Sequence, residues 1–261
     1  NAAKLVDMLD EAIFQVPVYE EGPLAGVEFH LESVVVNVNK KKSAEILGEE
    51  CITIAGKPTI LEEVGGLQFE ISPLSFYQVN RQQMMRLYDR ALDYAQIKGG
   101  ETVLDLYCGV GTIGLFAAAA GAGKVIGIES IKGAVADANR NAVINGIVNA
   151  WYVCGKAEEE LPKLIGNNGS AKEIDQGVPE IEKVDVVILD PPRSGCEESL
   201  LECVVQVKPQ RVVYVSCDPA TLARDLKFMK RLGYRAVKGV GEDMFGMTKH
   251  CEVCVKLERG R

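Results

Sequence analysis

From Glu101 onward the spacing of apolar residues switches repeatedly between two regimes. Short, nearly continuous apolar runs occur at "TVLDLY", "KVIGIE", "AWYVC", "VDVVILD" and "RVVYVS"; their length and β-branched content predict buried strands. Between them, "TIGLFAAAA", "IKGAVADANRNAVIN", residues 196–207 and "PATLARDLKFMKRLG" carry apolar residues at helical spacing. Such alternation predicts a parallel sheet with helices on both faces, an α/β fold. "RAVKGV" and "HCEVCVKL" close the chain with no helix between them, so they are expected to pair antiparallel at one edge. The polar stretch "GNNGSAKEIDQGVPEIEK" reads as a tolerated insertion.

Residues 1–75 follow another rhythm. After a short apolar-patterned opening, "VEFHLESVVVNVNKKK", "CITIAGK" and "EEVGGLQFEISP" are strand-like runs broken by Gly and Lys clusters. A small β-rich domain is expected over 1–75, and the α/β domain over 76–261. "QVNRQQMMRLYDRALDYAQI" has helical spacing and leads into the second domain, with Gly99-Gly100 expected as its C-cap.

Composition narrows the class. Hydrophobic content of 47% and charged content of 25% over 261 residues suit a globular chain. No apolar run approaches membrane-spanning length, so no membrane partner is expected. Asn1 opens no secretory signal and reads as the start of a trimmed or truncated chain. The eight cysteines read as reduced thiols of the cytoplasm, several of them small core residues. Cys251-Glu-Val-Cys254 has C-x-x-C spacing, but no second cysteine pair follows it and the chain holds two histidines, so no metal is expected. A net charge of −8 opposes general nucleic-acid affinity, yet Val205–Val240 carries eight Lys/Arg against two Asp. That cluster reads either as a solvated face or as a face for RNA.

"LDLYCGVGTIGL" contains Gly109-Val110-Gly111-Thr112-Ile113-Gly114, a match to G-x-G-x-x-G, usually a dinucleotide signature. Asp105, just before the turn, instead suits a cofactor carrying a positive charge and an amino group. Glu129 ends the next strand, where its carboxylate can take a ribose diol, a feature shared with nicotinamide enzymes. What decides is "LDPPRSG", Leu189–Gly195. Asp-Pro-Pro at that strand end makes a rigid wall beside a transferable methyl, which points to S-adenosylmethionine. Alone, each feature has an ordinary reading as a turn, a solvated charge or a loop. Their order at successive strand ends argues for the site. Arg193 stands after the prolines, where enzymes that methylate exocyclic amines tend to carry an aromatic, so amine methylation is disfavoured.

"VSCDPATLARDL" places Cys217 at the carboxyl edge of the sheet, where open α/β folds bind ligands. Asp218-Pro219 opens a helix whose N-terminal amides are expected to favour a thiolate. A buried strand-end cysteine is the plain alternative. Methylating an oxygen or nitrogen needs no cysteine, whereas an unreactive ring carbon such as pyrimidine C5 does, because thiolate addition at C6 activates C5. That chemistry also needs a base for the C5 proton. Glu252, near His250 at the start of the last strand, is the candidate, with a solvated edge charge as the alternative.

With "LSFYQVN", "LDLYCGVGTIGL", "DPPRSG", "SCDPATLARD" and "DMF...T.HCE" in place, the chain resembles the RNA uridine C5-methyltransferase family over roughly residues 33–258. Members of that family make 5-methyluridine in ribosomal or transfer RNA. The resemblance implies a Rossmann-like class I methyltransferase sheet of seven strands after the small β-rich domain. S-adenosyl-L-methionine is the implied cofactor, Cys217 the implied nucleophile and Glu252 the proton acceptor. Gln78, Tyr107, Glu129 and Asp190 would contact the cofactor or target base, with Gly109 and Gly111 forming the cofactor turn and Arg193 and His250 on the substrate side. The expected partner is RNA presenting a flipped-out uridine to a monomeric enzyme. Cytosine or nitrogen methylation, and a non-catalytic RNA-binding module, are the competing readings. The sequence departs from the family pattern in three ways. The N-terminal oligonucleotide-binding barrel and the four cluster cysteines of many members are not visible. "FGMT" stands where Phe-Pro usually precedes the Thr. Lys156 replaces the acidic residue that commonly reads adenine.

Overall fold

The structure, a computed structural model, describes residues 2–15, 29–40, 47–48, 50–165, 177–179, 181–248 and 250–260. Most of the polar insertion lies outside the described residues. The chain divides into two compact units, Asn1–Glu62 with Glu70–Leu74, and Glu63–Phe69 with Ser75–Arg261.

In the first unit the apolar-patterned opening forms a helix, α1 (Ala2–Phe14). β1 (Ser33–Val38) and β2 (Glu50–Gly56) pair antiparallel, with a bulge between Val34 and Val35. The Asn37 side chain pins the backbone beside them, accepting from Gly48 N at 2.7 Å and donating to Gly48 O at 2.8 Å. β3 (Ile60–Val64) and β4 (Leu67–Ile71) form a two-stranded sheet whose residues are shared between the units. Gly65 and Gly66 turn it with φ of 58° and 80°, the positive pair that a tight hairpin requires.

The second unit begins its α/β layers with α2 (Arg81–Ala95), β5 (Thr102–Leu106), α3 (Thr112–Ala119), β6 (Lys124–Glu129), α4 (Lys132–Ile144) and β7 (Ala150–Cys154). It continues with α5 (Ala157–Leu164), β8 (Val186–Leu189), α6 (Glu198–Gln206), β9 (Arg211–Ser216), α7 (Pro219–Arg231), β10 (Tyr234–Glu242) and β11 (Glu252–Arg259). The seven strands run in the order β10-β11-β9-β8-β5-β6-β7. β9, β8, β5, β6 and β7 are parallel; β11 is antiparallel to β9 and to β10. The expected edge pair is therefore present. Helices α2, α3 and α4 pack in succession on one face, and α5, α6 and α7 on the other. The core is the sandwiched apolar sheet, including Leu104, Ile126, Ile128, Ile188 and Tyr214, all with no exposed surface.

Two local expectations change. Gly99-Gly100 does not cap α2. Gln96 takes the left-handed conformation instead (φ 51°), its N–H reaching Leu92 O at 2.9 Å. Its side-chain oxygen is held by the buried Lys256 ammonium at 2.9 Å, which supports a conformation a non-glycine residue seldom adopts. The second change is α5, for which no helix was expected, and Pro162 inside it is the reason.

Candidate active site

Order reverses between β5 and β8, since the chain runs outward from β5 through β6 to β7 and then returns to β8. Ligands of open α/β sheets bind at that reversal, outside the carboxyl ends of the strands. The candidate residues follow those ends.

The glycine loop after β5 is bent by three positive φ values, 64° at Tyr107, 54° at Gly109 and 82° at Gly111. A Cβ on Gly111 would lie 2.7 Å from the Tyr152 ring. Tyr152 pairs in register with Gly127, where a Cβ would again meet the ring, at 2.4 Å. Tyr152 is thus the post against which the loop leans, and its hydroxyl reaches Gly111 O at 3.3 Å. Its sequence signal was an aromatic in β7 facing a glycine in β6, invisible without register. The third motif glycine, Gly114, lets α3 close onto β5, because a Cβ there would stand 2.8 Å from Asp105 Oδ2.

Asp105, expected to suit a cationic cofactor, is engaged within the fold. It is buried beneath α3 and accepts the Gly114 N–H at 2.8 Å. Burial first, then the Glu129 charge, pushes its carboxyl up to about 7 against that hydrogen bond. The acid before the turn fastens the helix to the strand.

Glu129 ends β6 with its carboxylate already oriented. Oε2 accepts from Gly109 N at 3.1 Å, and Oε1 from Ile131 N at 2.8 Å and Ser130 Oγ at 3.1 Å. A carboxylate has about four acceptor sites, two on each oxygen; Oε1 already accepts twice and Oε2 once, so Oε2 keeps a lone pair for a ribose hydroxyl. Asn141 of α4 steadies the same loop by donating to Val110 O at 3.2 Å.

On the other side, Asp190 follows β8, Cys217 follows β9 and Glu252 opens β11. Val253 pairs with Ser216 at the end of that register, so Glu252 and Cys217 are the next residues along the two strands. Glu252 is 9% exposed. Burial raises its carboxyl, and the Arg193 guanidinium partly offsets this. Asp190 is pushed up to about 8 by burial, then by the charges of Glu252 and Asp105. The Cys217 thiol is also raised, by burial, Glu252 and Asp190 in that order, with Arg193 opposing. The amides expected to favour a thiolate are engaged elsewhere. Asp218 Oδ1 takes the first free amides of α7, Ala220 N and Thr221 N, both at 2.9 Å, and Cys217 is left among carboxylates.

Gln78 lies half-buried in a loop tied at both ends. Ser75 Oγ donates to Asp137 Oδ2 at 2.6 Å, and Asn80 Nδ2 donates to Met244 O at 2.8 Å, joining this loop to the one that precedes Glu252. His250 is exposed, its backbone N–H donating to Thr248 Oγ1 at 3.2 Å. Lys156 is exposed beside Glu159 at 3.6 Å. Cys254 is buried in β11, its thiol pushed up to about 12 by burial.

The donor set fits S-adenosylmethionine. A turn of bare backbone meets a carboxylate with acceptor capacity left for a ribose hydroxyl, and Asp190 follows the neighbouring strand β8. Sheet order, glycine turn and Asp-Pro-Pro loop define a Rossmann-like α/β fold. The fold is shared with the S-adenosylmethionine-dependent methyltransferase from Agrobacterium tumefaciens (16% identity, 80% of this chain and 73% of that one, TM-score 0.55). Nearer in sequence is the Pyrococcus abyssi tRNA (uracil-54, C5)-methyltransferase in complex with S-adenosyl-L-homocysteine (33% identity, 91% of this chain and 54% of that one, TM-score 0.68). A protein described as an uncharacterized RNA methyltransferase of Caldanaerobacter subterraneus subsp. tengcongensis is 47% identical over 88% of this chain and 48% of its own length. The chain thus spans about half the length of the curated relatives it matches. The family description tRNA (Uracil-5-)-methyltransferase matches residues 57–260. The chain belongs to that family.

Proposed function

We propose that this chain carries the catalytic part of an enzyme forming 5-methyluridine in transfer or ribosomal RNA, acting as a cytoplasmic monomer on a flipped-out uridine. The observation that carries the reading is the register of β9 and β11, whose end pair Ser216–Val253 leaves Cys217 and Glu252 as the next residues along the two strands. A binder or an N-methylating enzyme has no use for that pair. Gln78, Tyr107, Gly109, Gly111, Glu129 and Asp190 hold the cofactor, while Arg193 and His250 face the RNA.

The Cys217 thiolate adds to C6 of the uracil, and the electron pair of the C5–C6 double bond moves onto C5 and the neighbouring carbonyl. Bound S-adenosylmethionine supplies the methyl group as an electrophile. Glu252 then takes the proton from C5, the double bond re-forms, and the C6–S bond breaks to return the thiolate. Among the described residues, the Arg193 charge favours the ionised form of both groups.

The two residues serve different steps, so their variants fail differently. Cys217→Ala is expected to form no covalent enzyme–RNA species and no product. Glu252→Gln keeps addition and methyl transfer but cannot complete elimination, so enzyme should stay joined to methylated RNA. It would run as a slow band on a denaturing gel that appears only with S-adenosylmethionine. Wild-type turnover by Cys217→Ala would sink the covalent mechanism. Normal product release by Glu252→Gln would move the base elsewhere, His250 first.

A further inference from the structure

Asp225, in the middle of α7, is 2% exposed and lies outside the residues that would touch RNA or cofactor. Its carboxylate is fully engaged with the loop that carries Arg193. Oδ2 accepts from Cys196 N at 2.8 Å and from the Tyr214 hydroxyl at 2.6 Å, and Oδ1 accepts from Arg224 Nε at 2.8 Å. Arg224, aligned by that ion pair, donates from Nη2 to Ser194 O at 2.8 Å and Cys196 O at 3.2 Å. One turn earlier, Thr221 Oγ1 donates to Arg193 O at 3.0 Å. Backbone groups of residues 193, 194 and 196 are therefore fixed to one face of α7. The approach is so close that a Cβ on Gly195 would fall 2.5 Å from Arg224 Nη2 and 2.6 Å from Asp225 Oδ2. Gly195 takes φ +75°, which glycine tolerates.

The same helix begins directly after Cys217, so whatever fixes the loop to α7 also fixes Arg193 relative to the thiol. We infer that Asp225 is a positioning residue that, through Arg224 and the backbone of residues 194–196, clamps the Arg193 guanidinium beside Cys217 and Glu252. The inference rests on those two being the reacting groups. A carboxylate is suited to this task because three donors converge on it and a buried acceptor-only group must be satisfied throughout. Among the described residues, the charges acting on Cys217 are those of Glu252 from β11, Asp190 after β8 and Arg193 from the clamped loop. Arg193 is the cation among them, so its displacement leaves the thiol among carboxylates.

The test follows alkylation of Cys217 by iodoacetamide across pH, read on its own peptide by mass spectrometry, in the full chain without RNA or cofactor. In Asp225→Asn the amide nitrogen cannot accept, so bonds on one side of the clamp are lost. The midpoint for Cys217 is expected to rise by about 0.3 pH units or more, a roughly twofold loss of thiolate below it. Removing a negative charge directly would lower that midpoint, so an upward shift reports the displaced guanidinium. Arg193→Gln should raise the midpoint likewise, and Asp225→Asn should add nothing further in that background. Thr221→Val, which removes a half-buried hydroxyl, should give a smaller upward shift and covers the case in which Asp225→Asn does not fold. A folded Asp225→Asn protein with the wild-type midpoint would overturn the inference. So would a shift that persists undiminished in Arg193→Gln, or an unmoved Thr221→Val where Asp225→Asn cannot be made. None of these readings needs methylation, so failure of the uridine reading would appear separately, as turnover by Cys217→Ala.

Discussion

Asp190 shows how much one buried carboxyl can couple. Its pKa is raised to about 8 by burial and by neighbouring acids, far above the roughly 3.9 of an unfolded chain. A group raised in the folded state stabilises fully only below its unfolded value, and that contribution is lost as pH climbs through about 8. The protein without cofactor is therefore expected to melt at falling temperature between pH 5 and 9. Asp190→Asn should flatten that slope, leaving a residual part from Asp105, which is also raised. Melting followed by dye fluorescence across pH checks this; an unchanged slope would take the charge away from Asp190. The same coupling predicts proton release near neutral pH on binding S-adenosylmethionine, whose cationic sulfur favours ionised neighbours. S-adenosylhomocysteine, neutral at sulfur, should release fewer, as calorimetry in two buffers of different ionisation enthalpy would show. Glu129→Gln should weaken either ligand by about 1.5–3 kcal/mol, the range for a hydrogen bond to a charged group, because an amide offers one acceptor oxygen in place of two. Unchanged affinity would remove Glu129 from the site. At this scale the sequence exposed the residues proposed to carry the chemistry but not their supports. Cys217 and Glu252 stand in recognisable motifs, whereas Tyr152 and Asp225 gain their roles from register and helix facing. Asp105 was not legible because a buried acid and a ligand-facing acid look alike one residue from a turn.

Elements were legible where period and punctuation agreed. β9 runs Arg211–Ser216 just as its apolar stretch suggested, between a Pro-Gln turn and a Cys-Asp-Pro helix start. α5 escaped because Pro162 argues against a helix interior, while burial of Ala157, Leu161 and Leu164 against the core overrides that local cost. The end of α2 was misplaced because the left-handed residue is Gln96, stabilised by Lys256 from a strand 160 residues away. α7 carries the strongest element-level prediction. Its cap is Asp218, and Asp218→Ala should cost about 1 kcal/mol of stability, measurable by urea unfolding. A loss near zero would mean water replaces the cap. Along the same helix Lys227 and Lys230 are exposed. Changing both to Ala should reduce the salt dependence of RNA binding by up to about 0.7 per lysine in log–log slope, with cofactor affinity intact. An unaltered slope would assign them to a solvated face.

Across the whole chain, the alternation of strand and helix specified the parallel sheet, because βα connections leave few topologies open. Compactness was less visible. "EEVGGLQFEISP" alternates like a half-exposed strand and so reads as part of a β-rich domain ending near residue 75. In the structure Val64 and Phe69 are fully buried, and Phe69 packs its ring 5.8 Å from that of Phe116 on α3. Asn145, the C-cap of α4, holds the same stretch from both sides, donating to Gln68 O at 2.7 Å and accepting from Gln68 N at 2.8 Å. No local pattern reveals such contacts, since their partners lie tens of residues downstream. A chain beginning at Glu63 keeps all of them, whereas one beginning at Ser75 leaves a hole over Phe116 and strips Asn145 of both bonds to Gln68. Losing one buried Phe typically costs about 3–5 kcal/mol, a large share of the total stability of an ordinary domain. The longer chain is therefore expected to melt cooperatively and bind S-adenosylmethionine, and the shorter one to melt well below it or aggregate. Equal melting temperatures would mean that the hairpin residues 63–69 contribute nothing to the methyltransferase fold, and the boundary at 75 would stand.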